Sequence, residues 1–362
     1  MENDISTILS QFPFEGKLIE IQPINEGLIN TTLVADFGEK KYVIQKINTN
    51  VFKNPDNLMD NIVSVTEYLK KSIEAEGGNA DRQTLRFLKT VDGKPFYIDE
   101  DGECWRSYVY LDNSYTISSG CSLDEIYEAA RAFGKFQYLL GDFPGNELFE
   151  TIPNFHHTPT RYDNLMKAVE ENKAGRLDEV QEEINFFKDR KHNTSVVTSL
   201  LKSGELPVRV THNDTKINNV LFDGDTKKAI CVIDLDTIMP GSSLYDFGDG
   251  IRTSATFGEE DDEENIGLNV EAFEAYVKGF LDGTDGKLFP KEIELLPFSV
   301  ILLTQEVAMR FLTDYLDGDV YFKTSFDKHN LVRTRAQIKL IKDVESKMPQ
   351  LIEITKAACR RS

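Results

Sequence analysis

The stretch Thr211-His212-Asn213-Asp214-Thr215-Lys216-Ile217-Asn218-Asn219 is followed by a short apolar run, the turn Asp223-Gly224-Asp225, and the apolar strand Ile230-Cys231-Val232-Ile233, which ends on Asp234. Few folds place an acid, an amide five positions later, a two-stranded hairpin and a second acid in that order. The order supplies a proton acceptor at Asp214 and two oxygen ligands for a hard cation at Asn219 and Asp234. Phosphoryl transfer to a hydroxyl needs these parts, because the protein's share of that chemistry is to orient the hydroxyl and neutralise phosphate charge. Taken singly, each residue has an ordinary explanation, since Asp and Asn form turns and strands often end on Asp. The ordered set with its two intervening strands carries the reading.

His212-x-Asp214-x-x-x-x-Asn219 with Ile233-Asp234 resembles the catalytic and metal-binding motifs of the aminoglycoside phosphotransferase/choline kinase family, relatives of the eukaryotic protein kinases. The resemblance implies a catalytic base at Asp214, Mg²⁺ ligands at Asn219 and Asp234, and ATP as the phosphoryl donor. It also implies an α+β, two-lobed, protein-kinase-like fold, with a small, mainly antiparallel-sheet N-lobe carrying one main helix and a larger helical C-lobe.

Further segments extend the likeness. Asn25-Glu26-Gly27-Leu28-Ile29-Asn30-Thr31-Thr32 joins two strand-like runs and is similar to the family's nucleotide loop, which implies nucleotide contacts at Gly27 and Asn30. It has one glycine where protein kinases have Gly-x-Gly-x-x-Gly. In the next arm, Lys41-Tyr42-Val43-Ile44-Gln45-Lys46-Ile47, the resemblance makes Lys46 the strand lysine that pairs with ATP phosphates. A solvated lysine on an amphipathic strand is the plainer alternative. Such a lysine needs a carboxylate from the next helix. Leu58, Ile62, Val65 and Leu69 recur at three- and four-residue spacing and predict that helix over 55–71, with Glu67 the candidate partner or an ordinary exposed glutamate.

Within the family the chain is most similar to the N-acetylhexosamine 1-kinase branch, through the Asn25–Thr32 segment, through Tyr42-Val43-Ile44-Gln45-Lys46-Ile47-Asn48-Thr49-Asn50-Val51-Phe52, and through Arg310-Phe311-Leu312-Thr313-Asp314-Tyr315-Leu316 leading to Asp319-Val320-Tyr321-Phe322. That resemblance implies phosphorylation of the anomeric hydroxyl of GlcNAc or GalNAc, with Arg310 and Tyr321 contacting the sugar. Arginine can donate two directed hydrogen bonds to an acetamido carbonyl, and tyrosine offers a ring face and a hydroxyl. A helix-capping arginine and a core tyrosine are the alternative. Three other functions stay open: transfer to an amino alcohol or aminoglycoside, nucleotide binding without transfer, and metal-dependent hydrolysis.

At 362 residues the chain exceeds one ordinary domain, and two lobes sharing a cleft fit that length. The expected organisation is a nucleotide-binding N-lobe over 1–103, a hinge over 104–112, and a catalytic and substrate-binding C-lobe over 113–362. Ser122-Leu123-Asp124-Glu125 is a capping box that opens a long helix with Ile126, Ala129, Ala130, Phe133 and Phe136 on one face. Further helices are predicted over 178–188, 270–281, 291–315 and 327–347. The balance of 41 Lys and Arg against 61 Asp and Glu gives a net charge of −20, which disfavours nucleic acid and anionic membranes as partners. The acidic run Glu259–Glu264 reads as a solvated loop. Four cysteines lack a Cys-x-x-Cys spacing and are expected as reduced thiols, and five histidines form no zinc pattern. The N-terminus has no basic n-region and no apolar run approaches the ~18 residues of a membrane span, so a cytoplasmic location is expected. The oligomeric state is not legible.

Overall fold

A computed structural model describes residues 2–24, 29–118 and 120–360. They form two compact units, each made of several separate stretches of the chain. Unit 1 comprises 1–116, 147–153 and 220–239, and unit 2 comprises 117–146, 154–219 and 240–362.

Unit 1 begins with helix α1 (Glu2–Ser10) and is built on five strands: β1 (Glu20–Ile24), β2 (Thr31–Asp36), β3 (Lys41–Ile47), β4 (Tyr97–Ile98) and β5 (Cys104–Val109). Neighbouring strands are antiparallel, in the spatial order β1-β2-β3-β5-β4. Successive side chains of a strand point to opposite faces, so β3 splits its residues between two environments. Ile44 and Trp105 pack with Ala35, Ile8 and Phe12 on the α1 face. On the other face Gln45 lies opposite Arg106, whose Nη1 reaches the Met59 sulfur of helix α2 (Pro55–Ala75) at 3.9 Å. Asn54 caps α2 by accepting from the Asn57 N–H, and Pro55 occupies the first turn, where no N–H donor is missed.

Of the span expected as the hinge, 104–112, the first part is strand β5. Residues 104–109 are an internal strand paired on both edges, because Trp105, Arg106 and Ser107 are buried and their backbone needs sheet partners. Leu85–Leu88 joins the sheet by a single bridge, Phe87 to Tyr108. A short helix, α3 (Ala80–Gln83), supplies Arg82, which pairs with Asp223 at 2.8 Å. Asp223 closes the predicted turn by accepting from the Asp225 and Thr226 N–H groups. The predicted hairpin, Val220–Asp223 with Ala229–Val232, forms and is extended by Ser114–Tyr115.

Unit 2 is mainly helical, with α4 (Leu123–Leu139), α5 (Thr158–Glu171), α6 (Gln181–Asp189), α7 (Lys191–Thr194), α8 (Val196–Ser203), α9 (Ser243–Ser254), α10 (Val270–Thr284), α11 (Pro290–Asp317) and α12 (His329–Cys359). The Ser122/Glu125 capping box is formed in both directions. Helices α4 and α10 approach closely through glycines: a Cβ on Gly134 would lie 2.3 Å from the Phe280 carbonyl oxygen, and one on Gly279 2.2 Å from that of Tyr127. Helix α11 is long and apolar enough to cross a membrane by length and composition, but it is the buried core helix of this unit. The acidic run is partly structural, since Glu260 pairs with Arg252 and Asp261 with His329. His157 caps α5, and His156 is turned to a different task described below.

Candidate active site

Unit 2 holds Asp214 on a loop that follows the short strand Arg209–Thr211. Asn213 adopts φ 66°, a left-handed conformation that asparagine tolerates better than most residues. The loop backbone is pinned by the first turns of α9. Asp246 accepts from the N–H groups of His212 (3.1 Å) and Asn213 (2.8 Å) and from the Gln137 side chain (2.7 Å), and Asp249 accepts from the Thr215 N–H (3.0 Å). The Thr215 hydroxyl donates to the Asp246 carbonyl at 2.6 Å. The predicted helix beneath the loop is α4, whose Phe133 and Phe136 present edges to His212. Burial raises the Asp246 carboxyl pKa, opposed by His212 and the N–H donors. Burial also pushes Asp249 upward, but Arg252 and Lys216 outweigh it and its pKa is lowered.

Each Asp214 oxygen has a partner. Lys216 Nζ lies 2.8 Å from Oδ1, and Asn219 Nδ2 donates to Oδ2 (3.1 Å) and to the Asp214 carbonyl (2.8 Å). Burial opposes the Lys216 charge, yet Asp214 and Asp249 prevail and its pKa is raised. The sequence reading assigned no role to Lys216, although a lysine two residues after the acid was visible.

His156 and Glu306 make a buried pair beside this loop. His156 Nδ1 is 2.7 Å from Glu306 Oε1, and Nε2 is 3.2 Å from the Asn213 carbonyl oxygen, while Thr158 donates to Glu306 Oε2 at 2.7 Å. Burial lowers the imidazole pKa, but Glu306 more than reverses it and holds it above the usual 6.5. Glu306 is held below its usual 4.5, with His156 the main cause against burial. The imidazole's contribution to stability is therefore complete below 6.5 and lost as pH rises through the raised value. The carboxylate's contribution is complete above 4.5 and lost as pH falls through the lowered value. Glu306→Gln removes the partner charge, so burial prevails and His156 titrates below 6.5. An NMR titration of the imidazole checks this; a parent imidazole titrating at or below its ordinary value contradicts the pairing.

Arg310 and Tyr321 are brought together. The Arg310 guanidinium carbon lies 5.7 Å from the Tyr321 ring centre and 5.3 Å from that of Phe322. Tyr321 is 70% exposed, so it is not a core tyrosine. Its loop is fixed by Asp314, which accepts from the N–H groups of Val320 (2.9 Å), Tyr321 (2.8 Å) and Phe322 (2.9 Å) and from Asn330 (2.9 Å).

Unit 1 holds Asp234, whose φ of 57° starts a tight turn, Leu235–Thr237. That turn is anchored by Asp236. Its carboxylate meets Arg106 at 2.5 Å, with both side chains almost wholly buried, and accepts from Asn30 Nδ2 at 2.6 Å. Arg106 also donates to Gln45 Oε1 through Nε (3.0 Å) and Nη2 (2.8 Å). Downstream, Asn61 of α2 donates to the Ile238 carbonyl at 3.0 Å. Arg106, Gln45 and Asp236 were missed by sequence reasoning. An arginine inside the run Cys-Trp-Arg-Ser-Tyr-Val was the available signal, because a charge in a buried strand implies a buried partner.

In unit 1 the expected pairing of Lys46 with Glu67 is corrected. Lys46 does not pair with Glu67. It meets Glu103 at 3.2 Å and lies opposite Trp105 in the sheet, on the α1 face, because the two-residue strand period turns Gln45 and not Lys46 toward α2. Glu67 is exposed and lines a surface groove with Lys70, Arg86 and Lys89. Asn30 uses its amide within the unit, donating to Asp236 and accepting from the Asn48 N–H at 2.9 Å, so it anchors the loop end. Gly27 lies outside the described residues.

Residues 20–280 match the profile of the phosphotransferase enzyme family. The chain belongs to that family. Among solved structures it is similar to an aminoglycoside phosphotransferase from Alicyclobacillus acidocaldarius (11% identity, 97% of this chain and 96% of that one, TM-score 0.66). It is also similar to a spectinomycin phosphotransferase in complex with ADP and spectinomycin (15% identity, 99% and 98%, TM-score 0.58). A third is a choline kinase from Cryptosporidium parvum (13% identity, 97% and 97%, TM-score 0.57). At these identities the likeness establishes the fold, which is α+β, two-lobed and kinase-like.

Each unit carries an oxygen donor of the kind a divalent cation prefers. Asn219 directs its amide nitrogen at Asp214, which leaves Oδ1 as a hard oxygen donor, and Asp234 supplies a carboxylate. No group of three or more His, Cys, Asp or Glu able to hold a metal occurs among the described residues.

Proposed function

We propose that the chain is an ATP- and Mg²⁺-dependent phosphotransferase that phosphorylates the anomeric hydroxyl of an N-acetylhexosamine, giving the sugar 1-phosphate. The observation that carries the acceptor is the pairing of Arg310, on α11, with Tyr321, on a loop held by Asp314, in the same unit as Asp214. Asp214 accepts the hydroxyl proton, and its bonds to Lys216 and Asn219 orient the carboxylate for that transfer. Asn219 and Asp234 hold the cation. When bound, it neutralises charge on the transferring phosphate. The backbone bonds from Asp246 and Asp249 keep the Asp214 loop in one geometry, so little reorganisation is needed during transfer.

The similar structures named for choline and spectinomycin supply the second reading, transfer to another small alcohol. One assay separates these readings: ADP release with ATP and, in turn, N-acetylglucosamine, N-acetylgalactosamine, glucose, choline and an aminoglycoside, with the position of the phosphate assigned by NMR. Sugar-dependent ADP release and a 1-phosphate product are expected. ADP release without an acceptor would indicate hydrolysis, and none with any acceptor would indicate a binding protein. For the metal, Asp234→Ala is expected to raise the Mg²⁺ concentration for half-maximal rate by about tenfold or more, since one of two protein ligands is removed. An unchanged Mg²⁺ dependence would place the cation elsewhere.

A further inference from the structure

Unit 2 carries a second guanidinium near Arg310. Arg161 lies one turn beyond Thr158 on α5, and its Nη2 donates to the Phe155 carbonyl at 2.7 Å. Its Nε is shielded from solvent and has no hydrogen-bond partner among the described residues. After burial, the nearby charge of Arg310 is the next cause that lowers the Arg161 pKa. The acid best placed to neutralise the two arginines is Glu306, one turn before Arg310 on α11, yet both its oxygens are engaged, by His156 and Thr158. Neither arginine forms an ion pair with a carboxylate among the described residues. Through His156 the same cluster reaches the carbonyl of Asn213, the residue before Asp214.

Two guanidiniums offer only donors. In a chain with a net charge of −20 they make a local positive site beside the loop that carries the proposed base. A cationic acceptor such as choline or an aminoglycoside meets repulsion there. An N-acylated amine has lost its charge and gained a carbonyl oxygen, which is the acceptor that unmade guanidinium bonds require.

We propose that Arg161 is a specificity-determining residue which, with Arg310, binds the carbonyl oxygen of an N-acyl group on the acceptor sugar and excludes acceptors bearing a free amine. This rests on the N-acetylhexosamine reading above and names the group by which that acceptor is told from its amine analogue.

The test is kcat/KM for N-acetylglucosamine, glucosamine, glucose and choline, at a pH where the glucosamine amine is protonated, in the parent, Arg161→Gln and Arg161→Lys. The parent is expected to favour N-acetylglucosamine over glucosamine by about 10²-fold or more, because a site built to hydrogen-bond one group discriminates strongly against an analogue lacking it. Arg161→Gln is expected to shrink that ratio by about tenfold, with the KM for ATP unchanged. Arg161→Lys keeps the charge and loses the planar fork, so it retains discrimination against glucosamine but loses part of that against glucose; it also serves if the Gln variant does not fold. A merely structural arginine would lower the rates on all sugars alike and leave the ratios fixed, and that result overturns the proposal. A parent that uses glucosamine as well as N-acetylglucosamine overturns it while leaving the sugar kinase intact. A parent that phosphorylates choline and neither sugar overturns both.

Discussion

Asp214→Asn is expected to lower kcat by about 10²–10⁴-fold while nucleotide affinity is kept. The amide preserves the shape of the carboxylate but cannot accept the hydroxyl proton. The loop survives the change because its backbone is held by Asp246 and Asp249 rather than by the Asp214 side chain. One local loss is predictable: the Lys216 ammonium at 2.8 Å loses its counter-charge and retains only Asp249 to support it. Single-turnover kinetics with a nucleotide-binding titration checks the prediction, and turnover within a few-fold of the parent, about 1 kcal/mol or less, would remove Asp214 from the proton-accepting role.

Asp236→Ala is expected to destabilise the protein by about 3–5 kcal/mol, the usual cost of leaving one member of a buried ion pair without its partner. Arg106 and Asp236 have side chains only 2% and 4% exposed, so water cannot replace the lost carboxylate. Asn30 loses its acceptor in the same step, which loosens Asn30 as well as the turn that follows Asp234. Denaturant unfolding measures the loss. The double variant Arg106→Met with Asp236→Leu gives a second readout: an apolar pair of similar volume should recover much of the stability. It should not recover activity, because Asp234 then sits on an unanchored turn. An Asp236→Ala protein as stable as the parent, with unchanged Mg²⁺ dependence, would falsify the anchoring role.

Local signals in the chain were sufficient wherever function depends on order along the backbone. The spacing from Asp214 to Asn219, the hairpin at Val220–Val232 and the turn after Ile233 are consecutive, so turn chemistry and strand alternation place them without reference to distant residues. The capping box at Ser122/Glu125 and the three- and four-residue apolar spacing of α2 and α4 were equally legible, since a helix is made of contacts within a few residues. Motif order did not carry the Lys46–Glu67 pairing. It located the strand correctly but could not say which face Lys46 occupies, because that depends on which side α1 and α2 cover, and one step along a strand reverses the face.

Tertiary structure alone decided the supports. Arg106 and Asp236 are 130 positions apart, and His156 and Glu306 are separated by 150. Each is a charge that could not stay buried without a counter-charge, and only the folded chain determines which one it meets. The sequence by itself determined which reactive side chains are available and in what order: Asp214, Asn219 and Asp234, then Arg310 and Tyr321. The fold decided which polar groups hold those residues still. It did so because local preference acts over a few residues, whereas a buried charge is satisfied by whatever long-range packing brings within about 3 Å of it.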